Sequence, residues 1–125
     1  MTSAALSTKA KLFRGLADPS RLAVLEALRD GPRCVSAVVT ATRLSQPNAS
    51  GHLACLRECG LVTRERRGKF VYYAIADKAV VKVLEETDTV LDRVAPGVAR
   101  CPRYGPLANS WAGRRAVRPR RGTRR

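Results

Sequence analysis

Two cysteines spaced four residues apart are the part of this sequence best suited to chemistry. Cys55 and Cys59 lie in the stretch LSQPNASGHLACLRECGL, from Leu44 to Leu61. Residues four apart on an α-helix have Cβ atoms about 5–6 Å apart, so two cysteine thiolates at this spacing can coordinate the same metal ion. Thiolate ligands favour soft ions over magnesium or calcium. Asn48 and His52 fall on the same side of such a helix, so it could also contact a base edge.

The stretch carries the start and stop signals of one helix. Ser45 is a good N-cap, Pro47 suits the first turn, and Gly60 can take the left-handed position that ends a helix. The apolar residues recur at helical spacing and predict a buried stripe of Ala49, Leu53 and Leu56.

The cysteines are also compatible with roles that involve no metal. Single cysteines often pack as small buried hydrophobes, and we expect this of Cys34. A redox switch is an alternative, although a Cys55–Cys59 disulfide inside a regular helix has poor geometry. A thiol enzyme is disfavoured, because the chain has no Cys-x-x-Cys, no Gly-rich phosphate loop and no histidine besides His52.

The N-terminal half predicts three further helices. Apolar spacing indicates one from about Leu6 to Ala17, and Asp18-Pro19 starts a second that Gly31-Pro32 ends. Its inner face is predicted to carry Leu22, Leu25 and Leu28. A third helix over about Val35 to Ala41 leads through a tight turn into the helix that Ser45 caps, which is typical of a helix-turn-helix.

Alternating residues after Gly60 predict a β-hairpin. Residues 61–66 alternate, the run stops at Arg67-Gly68-Lys69, and residues 70–75 resume with β-branched and aromatic side chains. Directly after a helix-turn-helix, such a hairpin is typical of a wing. Its basic residues are placed to meet phosphates, and they are Arg64, Arg66, Arg67 and Lys69.

A long last helix is predicted from the Asp77 cap to about Ala95, with Pro96-Gly97 ending it. One small domain cannot cover its whole apolar face, so we expect a homodimer through the first and last helices. The predicted fold is mainly α with a β-hairpin, a winged helix-turn-helix. Residues 1–98 would form this domain, and residues 99–125 an irregular segment that bears Cys101 and ends in a disordered Arg-rich tail.

The charge of +14 on 125 residues indicates a polyanionic partner, and it favours nucleic acid over a membrane surface. Seven arginines from Arg114 onward supply half of that charge, and the remainder is still basic. A constitutive architectural DNA binder is an alternative that only this tail favours. No apolar run predicts a membrane span or a cleaved leader, so we expect a cytoplasmic location, where the four cysteines would be thiols.

Three segments of the chain resemble the ArsR/SmtB family of metal-responsive winged-helix repressors. They are LADPSRLAVLEAL (Leu16–Leu28), SQPNASGHLACLRECGLV (Ser45–Val62) and GKFVYYAIAD (Gly68–Asp77). The resemblance implies a homodimer that binds double-stranded operator DNA near its own promoter and dissociates from it when metal binds. The recognition-helix residues that would enter the major groove are Ser45, Gln46, Asn48, Ala49, Gly51 and His52. Gln46 and Asn48 have the groups that suit an adenine edge.

The resemblance also limits which residues could form the metal site. Family sites on the last helix need histidines, which that helix lacks, and the arsenic-type Cys-Val-Cys is here Cys34-Val35-Ser36. The cadmium- and lead-sensing branch uses two recognition-helix cysteines and one C-terminal cysteine, which match Cys55, Cys59 and Cys101. The same ligands suit mercury. The resemblance therefore implies an inducer ion, Hg²⁺ first and Cd²⁺ or Pb²⁺ next, with Cys101 reaching the site from the same or the partner subunit.

Overall fold

A computed structural model describes residues 2–104. Its elements, in chain order, are α1 (Ser3–Leu16), α2 (Pro19–Ala27), β1 (Arg33–Cys34), α3 (Val35–Thr42), α4 (Gln46–Glu58), β2 (Val62–Arg67), β3 (Phe70–Ile75) and α5 (Lys78–Arg100), followed by a 3₁₀ turn at Pro102–Tyr104. The mainly helical architecture with one hairpin is as predicted. The Arg-rich tail predicted to be disordered lies outside the described residues.

Side-chain caps start α2 and α4 where the sequence predicts. The Asp18 carboxylate accepts a hydrogen bond from the Ser20 amide at 2.9 Å, and Pro19 follows it at the first helical position. The Ser45 hydroxyl accepts from the Asn48 amide at 3.2 Å, which starts α4. Each cap satisfies an amide that has no partner within its helix.

The core lies where α2, α3 and α4 meet the base of the hairpin. It contains the predicted stripe of α4 and two of the three leucines predicted for α2, while Leu22 is partly buried against it. The buried members are Val24, Leu25, Leu28, Val38, Leu44, Ala49, Leu53, Leu56, Val62 and Leu84. Because these side chains are buried, one side of α4 packs against the core and the opposite side faces solvent.

The sheet has three strands in the order β1-β3-β2. The hairpin of β2 and β3 is antiparallel, with Val62 opposite Ile75 and Arg67 opposite Phe70. Its two-residue turn has Gly68 at φ 63°, a conformation that glycine adopts without steric cost. The sequence does not predict β1, because two residues are too short to show an alternating pattern. This strand joins the hairpin to the start of α3.

The last helix does not end at Pro96-Gly97 as predicted. It continues through Pro96 to Arg100, and Cys101 is its C-cap. The fixed φ of proline is itself helical, and the costs are the lost hydrogen bond to the carbonyl of Asp92 and the crowding of that carbonyl by the proline ring. Asp92 is exposed, so water can solvate that carbonyl. The predicted boundary between residues 98 and 99 therefore falls inside α5.

Apolar side chains remain exposed on the two terminal helices of the single chain. No residue of α1 is buried. The large apolar side chains that stand exposed on α1 and α5 are Leu6, Leu12, Phe13, Val83, Val90, Leu91, Val94 and Val98. Within residues 2–104, no helix is both long enough and apolar enough to cross a bilayer.

Candidate functional site

The solvent-facing side of α4 carries polar groups that can reach a duplex. Gln46, Asn48 and Gly51 are exposed, and His52 is half-buried. Ser45 is exposed too, but its hydroxyl oxygen already accepts from the Asn48 amide as the helix cap. Gln46 and Asn48 therefore offer the amide side chains that can bind an adenine edge.

Ala49 does not belong with the predicted DNA contacts. Its side chain is 0% exposed and packs in the core beneath α4. The apolar spacing of Ala49, Leu53 and Leu56 indicates this position, whereas the family match alone had assigned it to the groove. A methyl group in the core cannot touch a base.

Cys55 and Cys59 lie one helical turn apart on the flank of α4. The Cys59 amide donates to the Cys55 carbonyl at 3.0 Å, so helical geometry extends to Cys59, which is the C-cap. Cys55 is half-buried and Cys59 is exposed. An ion arriving from solvent can therefore reach both thiols, and the donor chemistry suits a soft metal.

A single chain does not gather the three predicted thiols. Cys101 is half-buried at the C-cap of α5. Within residues 2–104, no group of three or more His, Cys, Asp or Glu side chains comes together as a metal site. One chain thus supplies a pair of thiols on α4 and a separate thiol at the end of α5.

Cys34 is not the small buried core residue that we expected. It is the N-cap of α3 and lies in β1, where it is half-buried. Its Sγ lies 3.3 Å from the Ser36 hydroxyl oxygen. The hydrogen bond from Ser36, helped by the Ala37 amide, holds the pKa of the Cys34 thiol below its usual value. The position before the helix, instead of on its core side, leaves this thiol accessible to reagents.

The four basic residues predicted for the wing are all exposed, but they divide between the two faces of the hairpin. Arg64 and Arg66 share one face with Val62, and Arg67 lies on the other with Glu65. Arg67 Nη2 lies 3.2 Å from the Glu65 carboxylate, and its guanidinium stacks over the Tyr72 ring at 5.1 Å. Arg67 is therefore held in place and partly neutralised, unlike Arg64, Arg66 and Lys69.

Sequence reasoning missed Arg43, which lies in the turn between α3 and α4. It is exposed and adopts a left-handed backbone with φ 64°, while its amide donates to the Val39 carbonyl at 2.7 Å. Arginine gives no sequence signal for this conformation. Only the position between the last residue of α3 and the Ser45 cap could have indicated a basic group beside the recognition helix.

Comparisons with known proteins identify the family. A family model described as "Bacterial regulatory protein, arsR family" matches residues 18–64. The HTH-type transcriptional regulator CmtR of Mycobacterium tuberculosis is 42% identical over 80 residues, which are 64% of this chain and 68% of that protein. The chain belongs to the ArsR family. This family assignment agrees with the resemblance found in the sequence.

Two further relatives bear on fold and function. A probable mercury resistance operon repressor of Streptomyces lividans is 40% identical over 77 residues. The alignment covers 62% of this chain and 62% of that repressor, which is less than two thirds of the repressor's length. The homodimeric winged helix-turn-helix domain of Mycobacterium bovis Mb0332 superposes with a TM-score of 0.67 at 30% identity, covering 86% of this chain and 93% of that one. The predicted winged helix-turn-helix fold is confirmed. The relatives are named as regulators and repressors, which agrees with an ArsR-family regulator and not with a thiol enzyme.

Proposed function

We propose that this ArsR-family chain is a metal-responsive transcriptional repressor that binds operator DNA as a homodimer. A thiophilic ion, bound by cysteine thiolates, releases it. The observation that carries this proposal is the pair Cys55 and Cys59, accessible and one turn apart on the same helix that exposes Gln46 and Asn48. One element thus bears both the groups for reading DNA and the groups for sensing.

The DNA interface combines base contacts with phosphate contacts. The exposed side of α4 enters the major groove, where Gln46 and Asn48 bind base edges. Arg64, Arg66 and Lys69 of the wing meet phosphates, and Arg67 joins them once it parts from Glu65. The exposed apolar faces of α1 and α5 pair with those of a second chain, which brings two recognition helices to one operator.

The proposed inducer is Hg²⁺, and Cd²⁺ or Pb²⁺ rank after it. The thiols favour soft ions as a class, and the name of the Streptomyces lividans relative supports mercury within that class. Two sulfurs can bind mercury, and a third completes a trigonal site. We assign the third sulfur to Cys101 of the partner subunit, because within one chain no such trio gathers among residues 2–104.

Release follows from the geometry of the dimer. Two recognition helices enter successive major grooves only when they are about 34 Å apart. Tying Cys55 and Cys59 to a sulfur at the end of α5 constrains α4 and disturbs that spacing. Coupling free energies between allosteric sites are typically about 1–3 kcal/mol, enough to lower operator affinity by about fivefold or more.

The test is a titration of the dimer on DNA upstream of its own gene with Hg²⁺, Cd²⁺ and Pb²⁺ in turn. Ultraviolet thiolate-to-metal absorption, followed in parallel, counts the sulfurs. Cys55→Ser or Cys59→Ser should keep operator binding and abolish release. Cys34→Ser is the matched control, since this accessible thiol can bind metal without belonging to the site. Release of the Cys55→Ser and Cys59→Ser variants by the ion would contradict the proposed site, and release by peroxide alone would favour a redox switch.

Mixed dimers test whether the site spans two subunits. A chain with Cys101→Ser is combined with a chain carrying both Cys55→Ser and Cys59→Ser. If the sulfurs come from both subunits, the mixed dimer retains one complete site, although neither parent dimer has any. The readout is the absorption of the three-sulfur site, over and above that of the Cys55 and Cys59 pair alone, and recovery of half of it is the expected result. No recovery would mean that each site is built within one chain.

A further inference from the structure

The long last helix is attached to the DNA-binding body by few side chains, all in its first half. Leu84, at 3% exposure, is its one buried core residue among those described. Val80 and Val81 are half-buried beside it, and beyond Asp88 the described side chains of α5 are exposed. The angle between α5 and the body therefore depends on a short joint.

Arg29 spans this joint. It follows α2 and its Nη1 lies 2.8 Å from the Glu26 carboxylate, while its Nη2 lies 2.9 Å from the Asp88 carboxylate. The Arg29 side chain is only 11% exposed, against 46% for Asp88. Burial alone would lower the pKa of Arg29, but the hydrogen bonds and charges of Glu26 and Asp88 outweigh it and raise that pKa. The guanidinium stays charged and binds both carboxylates.

The placement of Asp88 makes this ion pair more than a local contact. Asp88 follows Leu84 by four residues, so the two side chains lie on one side of α5, one turn apart. Without this ion pair, α5 is held only by Leu84 and the half-buried Val80 and Val81, all within its first two turns, and can pivot about them. A second contact one turn farther along resists that pivot. From Asp88 the helix continues to Arg100, about 18 Å at 1.5 Å per residue, so a small change of angle is amplified at its end.

We propose that the Arg29–Asp88 ion pair is a positioning contact that fixes the angle between the DNA-binding body and the dimer helix. It thereby sets the separation of the two recognition helices, and with it the preferred spacing of the operator half-sites. This inference rests on the proposed function, in which α5 forms part of the dimer interface. Neither residue is among those predicted to bind DNA or metal. Their contribution is to the choice of operator, since a pivoting joint tolerates several spacings.

The test compares Asp88→Asn with the full-length wild-type dimer on a series of duplexes. Operator half-sites are first selected from random DNA by the wild type, and their separation is then shortened or lengthened by single base pairs. The wild type should prefer one spacing by about tenfold or more, a difference of 1.4 kcal/mol. Asp88→Asn should bind the best spacing several-fold more weakly and lose most of the preference. Asp88→Glu, which keeps the carboxylate, should restore the preference.

Asp92→Asn is the matched control, because it removes the same charge from an exposed position one turn farther along the same helix. It should keep the wild-type spacing preference. Thermal melting and sedimentation establish that each variant is folded and dimeric, so a lost preference cannot reflect unfolding. A folded, dimeric Asp88→Asn variant with an unchanged spacing preference would overturn the inference alone. Failure of the selection to yield any duplex that the wild type binds would instead refute the proposed function, and this inference with it.

Discussion

Arg43 combines backbone strain with an exposed charge at the edge of the recognition helix. Among the described residues it is the one non-glycine residue with a positive φ. The left-handed conformation costs an L-residue about 1–2 kcal/mol, and glycine avoids that cost. Its guanidinium makes no hydrogen bond or ion pair with any residue of the described chain. An unpaired cation beside the N-terminus of α4 suits a phosphate of the bound duplex.

Replacing Arg43 by glycine should change stability and DNA binding in opposite directions. Arg43→Gly should raise the free energy of unfolding by about 0.5 kcal/mol, the strain relieved less the added freedom of the unfolded chain. The plot of log affinity against log salt should become shallower by roughly 0.9 per subunit, as one phosphate contact is lost. Denaturant titration and fluorescence anisotropy measure the two effects. Arg43→Lys keeps the charge and should keep the slope, and an unchanged slope in Arg43→Gly would exclude the phosphate contact.

At this scale the sequence predicts residues whose role follows from periodicity or capping. Ser45 and Asp18 cap helices as their types suggest, and the stripe of Leu53 and Leu56 is buried. The environment of Cys34 was not predictable in this way. Its role depends on a two-residue strand and on the Ser36 hydroxyl, which come together only in the folded chain.

Among the elements, the wing shows what a strand pattern can and cannot reveal. The alternation of residues 61–66 predicts the hairpin and its basic tip. It does not predict that Glu65 lies opposite Tyr72, or that the Arg67 guanidinium stacks over the Tyr72 ring. Cross-strand register is set by the turn and by the buried face, so the contact of Arg67 with the Tyr72 ring becomes known only from the structure.

Removing the Glu65 carboxylate should strengthen binding to DNA of any sequence. In Glu65→Gln, the Arg67 guanidinium no longer has a competing anion and can bind a phosphate. Affinity for random duplex should rise by up to about fivefold, since exposed ion pairs are worth about 1 kcal/mol or less. The salt slope should stay the same, because Arg67 meets a phosphate in both proteins and only the cost of parting it from Glu65 is removed.

Glu85→Gln is the control for this prediction. Glu85 is exposed on the side of α5 opposite the apolar stripe, so its loss changes the net charge equally without touching the wing. If both variants gain the same affinity, net charge alone explains the gain and Glu65 has no specific role. Anisotropy at several salt concentrations separates these results.

For the whole molecule, the exposed apolar residues of α1 and α5 predict assembly. Val94 is 44% exposed and contributes nothing to the core of its own chain. A charge there should therefore leave the fold intact and disrupt the dimer, which buries such residues.

Val94→Glu should convert the dimer into a folded monomer. Its melting transition should become independent of protein concentration, and operator affinity should fall by more than about tenfold, because each half-site is then bound singly. Sedimentation and thermal melting measure the assembly. Thr89→Glu introduces the same charge on the opposite side of α5 and should remain dimeric. A dimeric Val94→Glu would mean that another surface forms the interface.

The fold class and the apolar faces of α1 and α5 were predictable because both follow from residue patterns over many turns. The extent of α5 was not, since Pro96-Gly97 is a typical stop signal that the helix here passes through. The Arg29–Asp88 contact joins residues 59 positions apart, and no local pattern indicates it. Long-range pairing of this kind needs the packed structure.

The proline inside α5 gives that helix a compliant point near its end. Pro96 lacks an amide hydrogen, so the Asp92 carbonyl receives no backbone hydrogen bond from the next turn of the helix. Cys101 follows only five residues later, about 7.5 Å along the axis. In the proposed metal-bound dimer, a pull on the Cys101 sulfur therefore flexes the terminal turn of α5 before it strains the apolar faces of α1 and α5. The proposed link to the ion can thus tighten while the two protomers stay joined.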